Sequence, residues 1–289
     1  MATLKIENLT KVYPNGVKAL DNVSIEISNG MFGLLGPNGA GKSSLMRTLA
    51  TLQEADSGTA FLNDIDILNN PLELRKVLGY LPQEFGVYPK ITAEQLLDHI
   101  AILKGITNSK ERKELVNYLL QKVNLYEQRN KSVKGFSGGM KQRVGIAQAL
   151  IGNPQLIIVD EPTAGLDPGE RNRFHNLLAD VGQEVVIILS THIVDDVREL
   201  CSNMAIMNKG QIVYNGTPSN VLQELKGKVW QKSIARNQVE EYQKNYQVIS
   251  DKMVAGNPLI HVLSESNPGN GFEQVEPNLE DVFFTKINN

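Results

Sequence analysis

Met31-Phe32-Gly33-Leu34-Leu35-Gly36-Pro37-Asn38-Gly39-Ala40-Gly41-Lys42-Ser43-Ser44 joins an apolar run to a glycine-rich octet, and an amphipathic stretch to Leu52 follows. The octet Gly36 to Ser43 matches G-x-x-x-x-G-K-[ST], and strand, loop and helix in that order is the context the pattern requires. Glycines let successive backbone N–H groups turn inward around an anion with no side chain in the way. The helix that follows points its N-terminus, about half a positive charge, at the same place. Lys42 adds a compact cation for the β- and γ-phosphates, and Ser43 offers a hydroxyl to Mg²⁺. Gly36, Asn38, Gly39, Ala40, Gly41, Lys42, Ser43 and Ser44 are therefore the expected phosphate cradle. A glycine-rich turn that binds nothing is the alternative, and the strand–loop–helix context argues against it.

Other polar groups stand at the ends of apolar runs. Leu156-Ile157-Ile158-Val159 reads as a strand covered on both faces, with Asp160-Glu161 at its carboxyl end, where open α/β sheets bind ligands. Asp160 is expected to hold Mg²⁺ through water, and Glu161 to accept a proton from an attacking water. Neighbours in a strand point opposite ways, so the two carboxylates can take different roles. A solvated strand end is the bland reading of the pair. Val185-Val186-Ile187-Ile188-Leu189 is a second buried run, and it leads through Ser190-Thr191 to His192. An imidazole there can hydrogen-bond a γ-phosphate oxygen; His99, His175 and His261 read as structural. Gln83, in Tyr80-Leu81-Pro82-Gln83-Glu84, offers an amide to Mg²⁺ or to the nucleophilic water, although a loop glutamine alone says little. Phe136-Ser137-Gly138-Gly139-Met140-Lys141-Gln142-Arg143 opens a helix that is either a second anion-binding terminus or a plain N-cap. If that end is remote from the cradle, both serve one nucleotide only across two subunits. Two antiparallel copies about a two-fold axis would share two such sites.

The 289 residues carry 29 Lys and Arg against 32 Asp and Glu, a net charge of −3, with 41% hydrophobic and 21% charged residues. That composition excludes a disordered, collagen-like or coiled-coil chain and allows one or two domains with a substantial core. The slightly acidic balance argues against broad nucleic-acid binding, which needs a basic face. The single cysteine, Cys201, cannot form an intrachain disulfide, which suits a reducing compartment. No apolar run approaches the roughly 18 residues that span a bilayer. Met1 to Glu7 alternates like a strand and lacks the apolar core of a signal peptide. A cytoplasmic chain is expected, with any membrane role exercised through a partner.

The first 80 residues read as short strands and tight turns, with Ile25 and Ile27 alternating with polar neighbours and Phe61-Leu62-Asn63-Asp64 ending in a turn. From Thr92 the period becomes helical. Thr92 and Gln95 form a capping box, Leu96, Leu97, Ile100, Ala101 and Leu103 are expected to line one face, and Gly105 supplies a stop. A second helix is expected from Ser109, burying Leu115, Leu119, Leu120 and Val123. A third should run from Ser137 to about Ile151, closed by Gly152-Asn153-Pro154. Residues 85–152 thus read as a helical insert. Asp167-Pro168-Gly169-Glu170 starts a helix between the two buried runs, which makes a β-α-β unit of a parallel sheet. Past Leu225 the chain gains Asn, Gln, Lys and Glu, with a hairpin expected at Gly256-Asn257-Pro258. A short helix should start at Pro277-Asn278 and bury Leu279, Val282 and Phe283. The fold class expected is α/β: a P-loop NTPase core with a mixed or parallel sheet, an antiparallel β-subdomain and a helical insert. Residues 1–222 form the main domain and 223–289 a small C-terminal α+β extension.

In order, Tyr13, GPNGAGKSS at 36–44, Gln83, FSGGMKQR at 136–143, LIIVDEP at 156–162, Ala164-Gly165-Leu166-Asp167 and His192 resemble the ATP-binding subunits of ABC transporters over residues 1–220. The resemblance implies ATP sandwiched between the phosphate loop of one subunit and Ser137, Gly138 and Gly139 of the other. It implies Tyr13 stacking on adenine, Glu161 as catalytic base, His192 as γ-phosphate sensor, and Gly165-Leu166-Asp167 along the dimer interface. It also implies ATP and Mg²⁺, a second ATP-binding subunit (a homodimer), an integral-membrane permease, and a place on the inner face of the cell membrane; no nucleic acid is implied. Phe136 and Met140 stand where the family usually has Leu and Gln; both keep the helix start and touch only its fine geometry. The tail Glu276-Pro277-Asn278-Leu279-Glu280-Asp281-Val282-Phe283-Phe284 resembles the ending of ATPases in the two-component exporter branch, whose permease is a separate chain. Phe85-Gly86-Val87-Tyr88-Pro89 sets apolar residues in a loop that would receive a permease helix or pack on the insert. A chromosome-maintenance ATPase would need long coiled-coil arms between Lys42 and Asp160, and the segment holds no long heptads. A translation factor would carry two ATPase units, and a nonhydrolytic module conflicts with Glu161.

Overall fold

A computed structural model describes residues 2–83, 86, 89–163, 166–181 and 185–288. β1 (Thr3–Val12) and β2 (Lys18–Ser28) form an antiparallel ribbon whose Leu4, Ile6, Leu20, Val23, Ile25 and Ile27 are buried. β3 (Gly30–Leu35) runs into the glycine-rich loop and α1 (Lys42–Leu49). β4 (Ser57–Leu62) and β5 (Ile65–Asp66) complete an antiparallel sheet in the order β2-β1-β4-β5. α2 (Pro71–Val77) passes directly into β6 (Leu78–Leu81), and the insert follows as α3 (Ala93–Leu103), α4 (Ser109–Lys122) and α5 (Gly138–Ala149). The chain then alternates: β7 (Leu156–Asp160), α6 (Pro168–Val181), β8 (Val186–Thr191), α7 (Val194–Leu200), β9 (Asn203–Asn208), β10 (Gln211–Gly216) and α8 (Pro218–Leu225). It ends in β11 (Val229–Ser233), α9 (Val239–Asn245), β12 (Val248–Val254), β13 (Asn257–Leu263), β14 (Glu273–Gln274) and α10 (Leu279–Asn288).

The central sheet has the order β10-β9-β3-β8-β7-β6, parallel except for the β9–β10 hairpin. Every residue of β7 and β8 is buried, which is why both read as unbroken apolar runs. One face packs with α1 against the β1–β5 sheet, and the other carries α6, α7, α8 and α10. Register sets Leu35 beside Thr191 and Asp160 beside Ser190, so the loops after β3, β7 and β8 leave one edge of the sheet together.

The helix starts follow the expected capping chemistry. Thr92 accepts from the Gln95 amide at 3.2 Å while Gln95 Oε1 accepts from the Thr92 amide at 3.1 Å. Asp167 accepts from the Glu170 amide at 2.9 Å, as expected for α6. The face expected for α3 needs one correction. Leu103 is 73% exposed; the buried stripe runs through Ala93, Leu97 and Ala101 and reaches Lys104 instead. The Lys104 ammonium donates to the Arg75 and Leu78 carbonyls at 2.6 and 2.5 Å, with its stem along the stripe. In α4, Val116 takes the fully buried place expected for Leu115, which is half-buried.

The C-terminal strands form an antiparallel sheet, β12-β13-β11-β14, with Trp230, Ile260, Val262 and Phe272 in its own small core. The β12–β13 hairpin turns at Ala255-Gly256, both in the left-handed region, next to the expected Asn257-Pro258. α10 returns to the first part of the chain and buries Leu279, Val282 and Phe283, as its spacing predicts. Asn278 and Asp281 cap each other at its start, both at 3.0 Å, and His261 meets the same buried carboxylate at 2.7 Å. His261 is thus structural, as expected.

Candidate active site

The glycine-rich loop is braced from behind. A Cβ at Gly36 would lie 2.5 Å from the Met207 carbonyl, so only glycine lets the loop pass the end of β9. Ala40 O accepts from the Gly210 amide at 2.8 Å, which ties the loop to the β9–β10 turn. Lys42 is buried, and its ammonium folds back on the Gly36 and Pro37 carbonyls at 2.6 and 3.2 Å. Burial lowers its pKa, and the nearby Glu161 and Asp160 carboxylates pull in the opposite direction.

Glu161 is the meeting point. Its Oε1 lies 3.8 Å from Lys42 Nζ, and its Oε2 lies 3.1 Å from His192 Nδ1 and accepts from Gln83 Nε2 at 3.5 Å. Its backbone is left-handed, with φ of 47°, a conformation that costs a non-glycine residue about 1–3 kcal/mol and clusters at functional positions. The Glu161 amide donates to the Ser190 carbonyl at 2.8 Å, which helps to hold that turn.

Asp160 behaves differently although it is adjacent. It is buried, and its Oδ1 has no hydrogen-bond partner. Burial raises its pKa, and the Glu161 charge adds to the effect. The Ser43 hydroxyl approaches the same carboxylate. An orphaned carboxylate oxygen beside a hydroxyl suits a hard divalent cation that prefers oxygen ligands. Among the described residues no cluster of three or more His, Cys, Asp or Glu side chains could cage a metal. The Asp160 oxygen and the Ser43 hydroxyl fit Mg²⁺, which typically takes one or two protein oxygens and fills its shell with substrate phosphates and water.

Tyr13, Asn38, Gly39, Ala40, Gly41, Lys42, Ser43, Ser44, Gln83, Glu161 and His192 line one cleft of about 870 Å³. The Tyr13 hydroxyl pairs with Ser44 Oγ at 3.0 Å and donates to Gln53 Oε1 at 3.1 Å, which fixes the ring at the rim of the cleft. Gly36 and Asp160 lie behind the wall. Ser137, Gly138 and Gly139 do not line the cleft. Ser137 caps α5 by accepting from the Met140 amide at 3.2 Å. Gly139 has a packing reason of its own: a Cβ there would lie 2.6 Å from Glu170 Oε2. Phe85, Val87, Tyr88, Ala164 and Gly165 lie outside the described residues.

Val17, Lys18, Ala19 and Lys209 also line the cleft and escaped sequence reasoning. Lys209 had one local signal, the Lys209-Gly210 pair that makes the β9–β10 turn with both residues in the left-handed region. Val17 precedes β2, and Lys18 and Ala19 open it; none of the three belongs to a motif.

A glycine cradle between a buried strand and a helix, with a buried ammonium and carboxylates on neighbouring strand ends, defines a P-loop nucleoside-triphosphatase. The family profile described as "ABC transporter" matches residues 20–164. The Bacillus subtilis protein YxlF, named as an uncharacterized ABC transporter ATP-binding protein, is 38% identical over 224 residues, 77% of this chain and 72% of its own length. Escherichia coli YbhF, named as a probable multidrug ABC transporter ATP-binding protein, is 31% identical over 98% of this chain and 51% of its own length. The dimeric structure of MJ0796, a bacterial ABC transporter cassette, superposes with a TM-score of 0.68 at 26% identity, covering 74% of this chain and 98% of MJ0796. The same cassette has been solved in a post-hydrolysis state bound to ADP and Pi, with the same score, identity and coverage. The chain belongs to the ABC transporter family as an ATP-binding subunit. It binds ATP, and its reaction is ATP hydrolysis in the service of transport. Among the described residues no helix is long and apolar enough to cross a membrane.

Proposed function

We propose that this chain is the motor of a two-component exporter, working as an ATP-closed homodimer against a separate membrane permease on the inner face of the cell membrane. The observation that carries the reading is the convergence of Lys42, Gln83 and His192 on the Glu161 carboxylate beside the phosphate cradle. Residues 1–222 form the ATP-binding unit and 223–289 an extension.

In this reading Gly36 to Ser44 wrap the phosphates, Lys42 leaves Glu161 for the β- and γ-phosphates, and Tyr13 stacks on adenine. Ser43, Asp160 and Gln83 would hold Mg²⁺, which neutralises phosphate charge when bound. Glu161, released from Lys42, orients the attacking water and accepts its proton. His192 donates to a γ-phosphate oxygen and keeps Glu161 aimed at the water. Exposed Ser137 and Gly138, with Gly139, stand apart from the cleft of their own chain, so they complete the site of the partner copy. Closure adds these contacts and loss of the γ-phosphate removes them, so the cycle opens and closes the pair. The export direction is supported by the Glu276 to Phe284 tail and by the relative named as a multidrug ATP-binding protein, which aligns over 98% of this chain.

The test is sedimentation velocity of the Glu161→Gln chain. With Mg·ATP it should move at twice the 31.9 kDa monomer mass, and with Mg·ADP as a monomer. A monomer in saturating Mg·ATP would remove the shared-site reading.

A further inference from the structure

Beneath the active site lies a buried polar cluster that no step above uses. Asp196, in the first turn of α7, is fully buried. Its Oδ2 accepts from Thr163 Oγ1 at 2.5 Å and from Thr191 Oγ1 at 3.4 Å. Its Oδ1 accepts from Arg171 Nε at 2.8 Å and lies 3.0 Å from His175 Nε2. Thr163 and Thr191 are themselves buried. His175 Nδ1 in turn meets Glu199 Oε2 at 3.2 Å.

These partners are not scattered. Thr163 follows Glu161 by two residues, and Thr191 immediately precedes His192. Arg171 and His175 stand on α6, directly after the Asp167 cap. One carboxylate therefore touches the segment that carries the catalytic base, the segment that carries the γ-phosphate ligand, and the helix between them. The left-handed turn at Glu161 needs outside restraint to persist. The Ser190 carbonyl fixes that turn at its amide, and Thr163 anchors its far side to Asp196. Burial alone would raise the Asp196 pKa. Hydrogen bonds from His175 and Thr163, with the Arg171 charge, outweigh it and hold the carboxyl below its ordinary range. The group is thus an anion with two donors on each oxygen, which makes each lost donor costly.

We infer that Asp196 is a positioning residue for ATP hydrolysis, whose buried carboxylate holds the Glu161 and His192 segments in register through Thr163 and Thr191. It is fully buried and does not line the cleft, so its effect belongs to the rate of chemistry and not to ground-state binding. The inference rests on the roles proposed for Glu161 and His192.

The test compares Asp196→Asn, Thr163→Val and their double variant, in the full chain, with Glu161→Gln run in parallel. Turnover is scored per nucleotide-binding site, titrated with fluorescent Mg·ADP, so that loss of folded protein does not count. Asp196→Asn should lower kcat per site about ten-fold or more, with nucleotide affinity held within about two-fold. Thr163→Val should move in the same direction, and the double variant should be no slower than Asp196→Asn, because both act on one link. The ring signal of His192 in ¹³C-histidine NMR, assigned with His192→Gln, should shift in both variants. If Asp196→Asn fails to fold, Thr163→Val, which only exchanges a hydroxyl for a methyl, carries the test. Wild-type turnover per site in the folded variants with an unmoved His192 signal would overturn the inference. If Glu161→Gln also keeps wild-type turnover, the fault lies in the catalytic reading; if it is inactive while the others are unaffected, only the positioning role fails.

Discussion

Replacing Glu161 by Gln should separate binding from chemistry, and the structure sets the size of each effect. Lys42 Nζ and Glu161 Oε1 stand 3.8 Å apart, with side chains only 5% and 12% exposed. At an effective dielectric of about 20 this pair interacts by roughly 4 kcal/mol. Mg·ATP has to take Lys42 from Glu161 and then place its own negative charge next to that carboxylate. The Gln side chain keeps the shape and removes both obstacles. About 1–2 kcal/mol should survive screening by ions and water, a roughly five- to thirty-fold tightening of Mg·ATP. Turnover should move the other way by about 10²- to 10⁴-fold, the usual contribution of a general base. Phosphate release measures the second effect, and displacement of a fluorescent nucleotide measures the first. Affinity unchanged or weakened, together with turnover within ten-fold of wild type, would refute both the Lys42 pairing and the role of Glu161 as base.

Burial pushes the Cys201 thiol from 9.0 up to about 12. Its folded pKa is raised, so the stability it contributes is complete below about pH 9 and is lost as pH climbs toward 12. The denaturant midpoint should fall across that window, less steeply in Cys201→Ala. A thiol reagent at pH 8 should label the chain only on unfolding, and rapid labelling of folded protein would contradict the burial. Phe174, 1% exposed between α6 and the central sheet, should cost about 3–5 kcal/mol on change to Ala, seen as a lower Tm; a loss below about 1 kcal/mol would mean the site collapses or is loosely packed. Gly36→Ala would drive a methyl into the Met207 carbonyl, so Mg·ATP binding should weaken more than ten-fold in calorimetry; unchanged affinity would show that the brace yields.

Much of this architecture was legible from local chemistry. The passage from β3 through the Gly36 to Ser43 loop into α1 was readable because the motif constrains backbone and side chains together over eight successive positions. β7 and β8 announced themselves because strands covered on both faces leave no room for polar alternation. The Thr92–Gln95 box and the Asp167 cap were readable because a free helix end selects specific side chains three residues apart. Leu103 misled because a long lysine can bury its stem and still place its ammonium on two carbonyls, so Lys104 took the apolar stripe. The Asp196 cluster was invisible because its members, Thr163, Arg171, His175, Thr191 and Asp196, come from segments that meet only once the sheet has formed. His175 reads as structural, which its burial supports, but nothing local points to its carboxylate. The packing of Gly139 on Glu170 was hidden for the same reason: two helices far apart in sequence set the contact.

The central claim is that triphosphate is held by the Gly36 to Ser43 backbone and the Lys42 ammonium. Isothermal titration of Mg·ATP into the purified chain and into Lys42→Ala tests it most directly. One nucleotide should bind per wild-type chain, with sub-millimolar affinity, and none measurably to the variant. Equal affinity in both proteins, or none in the wild type at millimolar Mg·ATP, would contradict it.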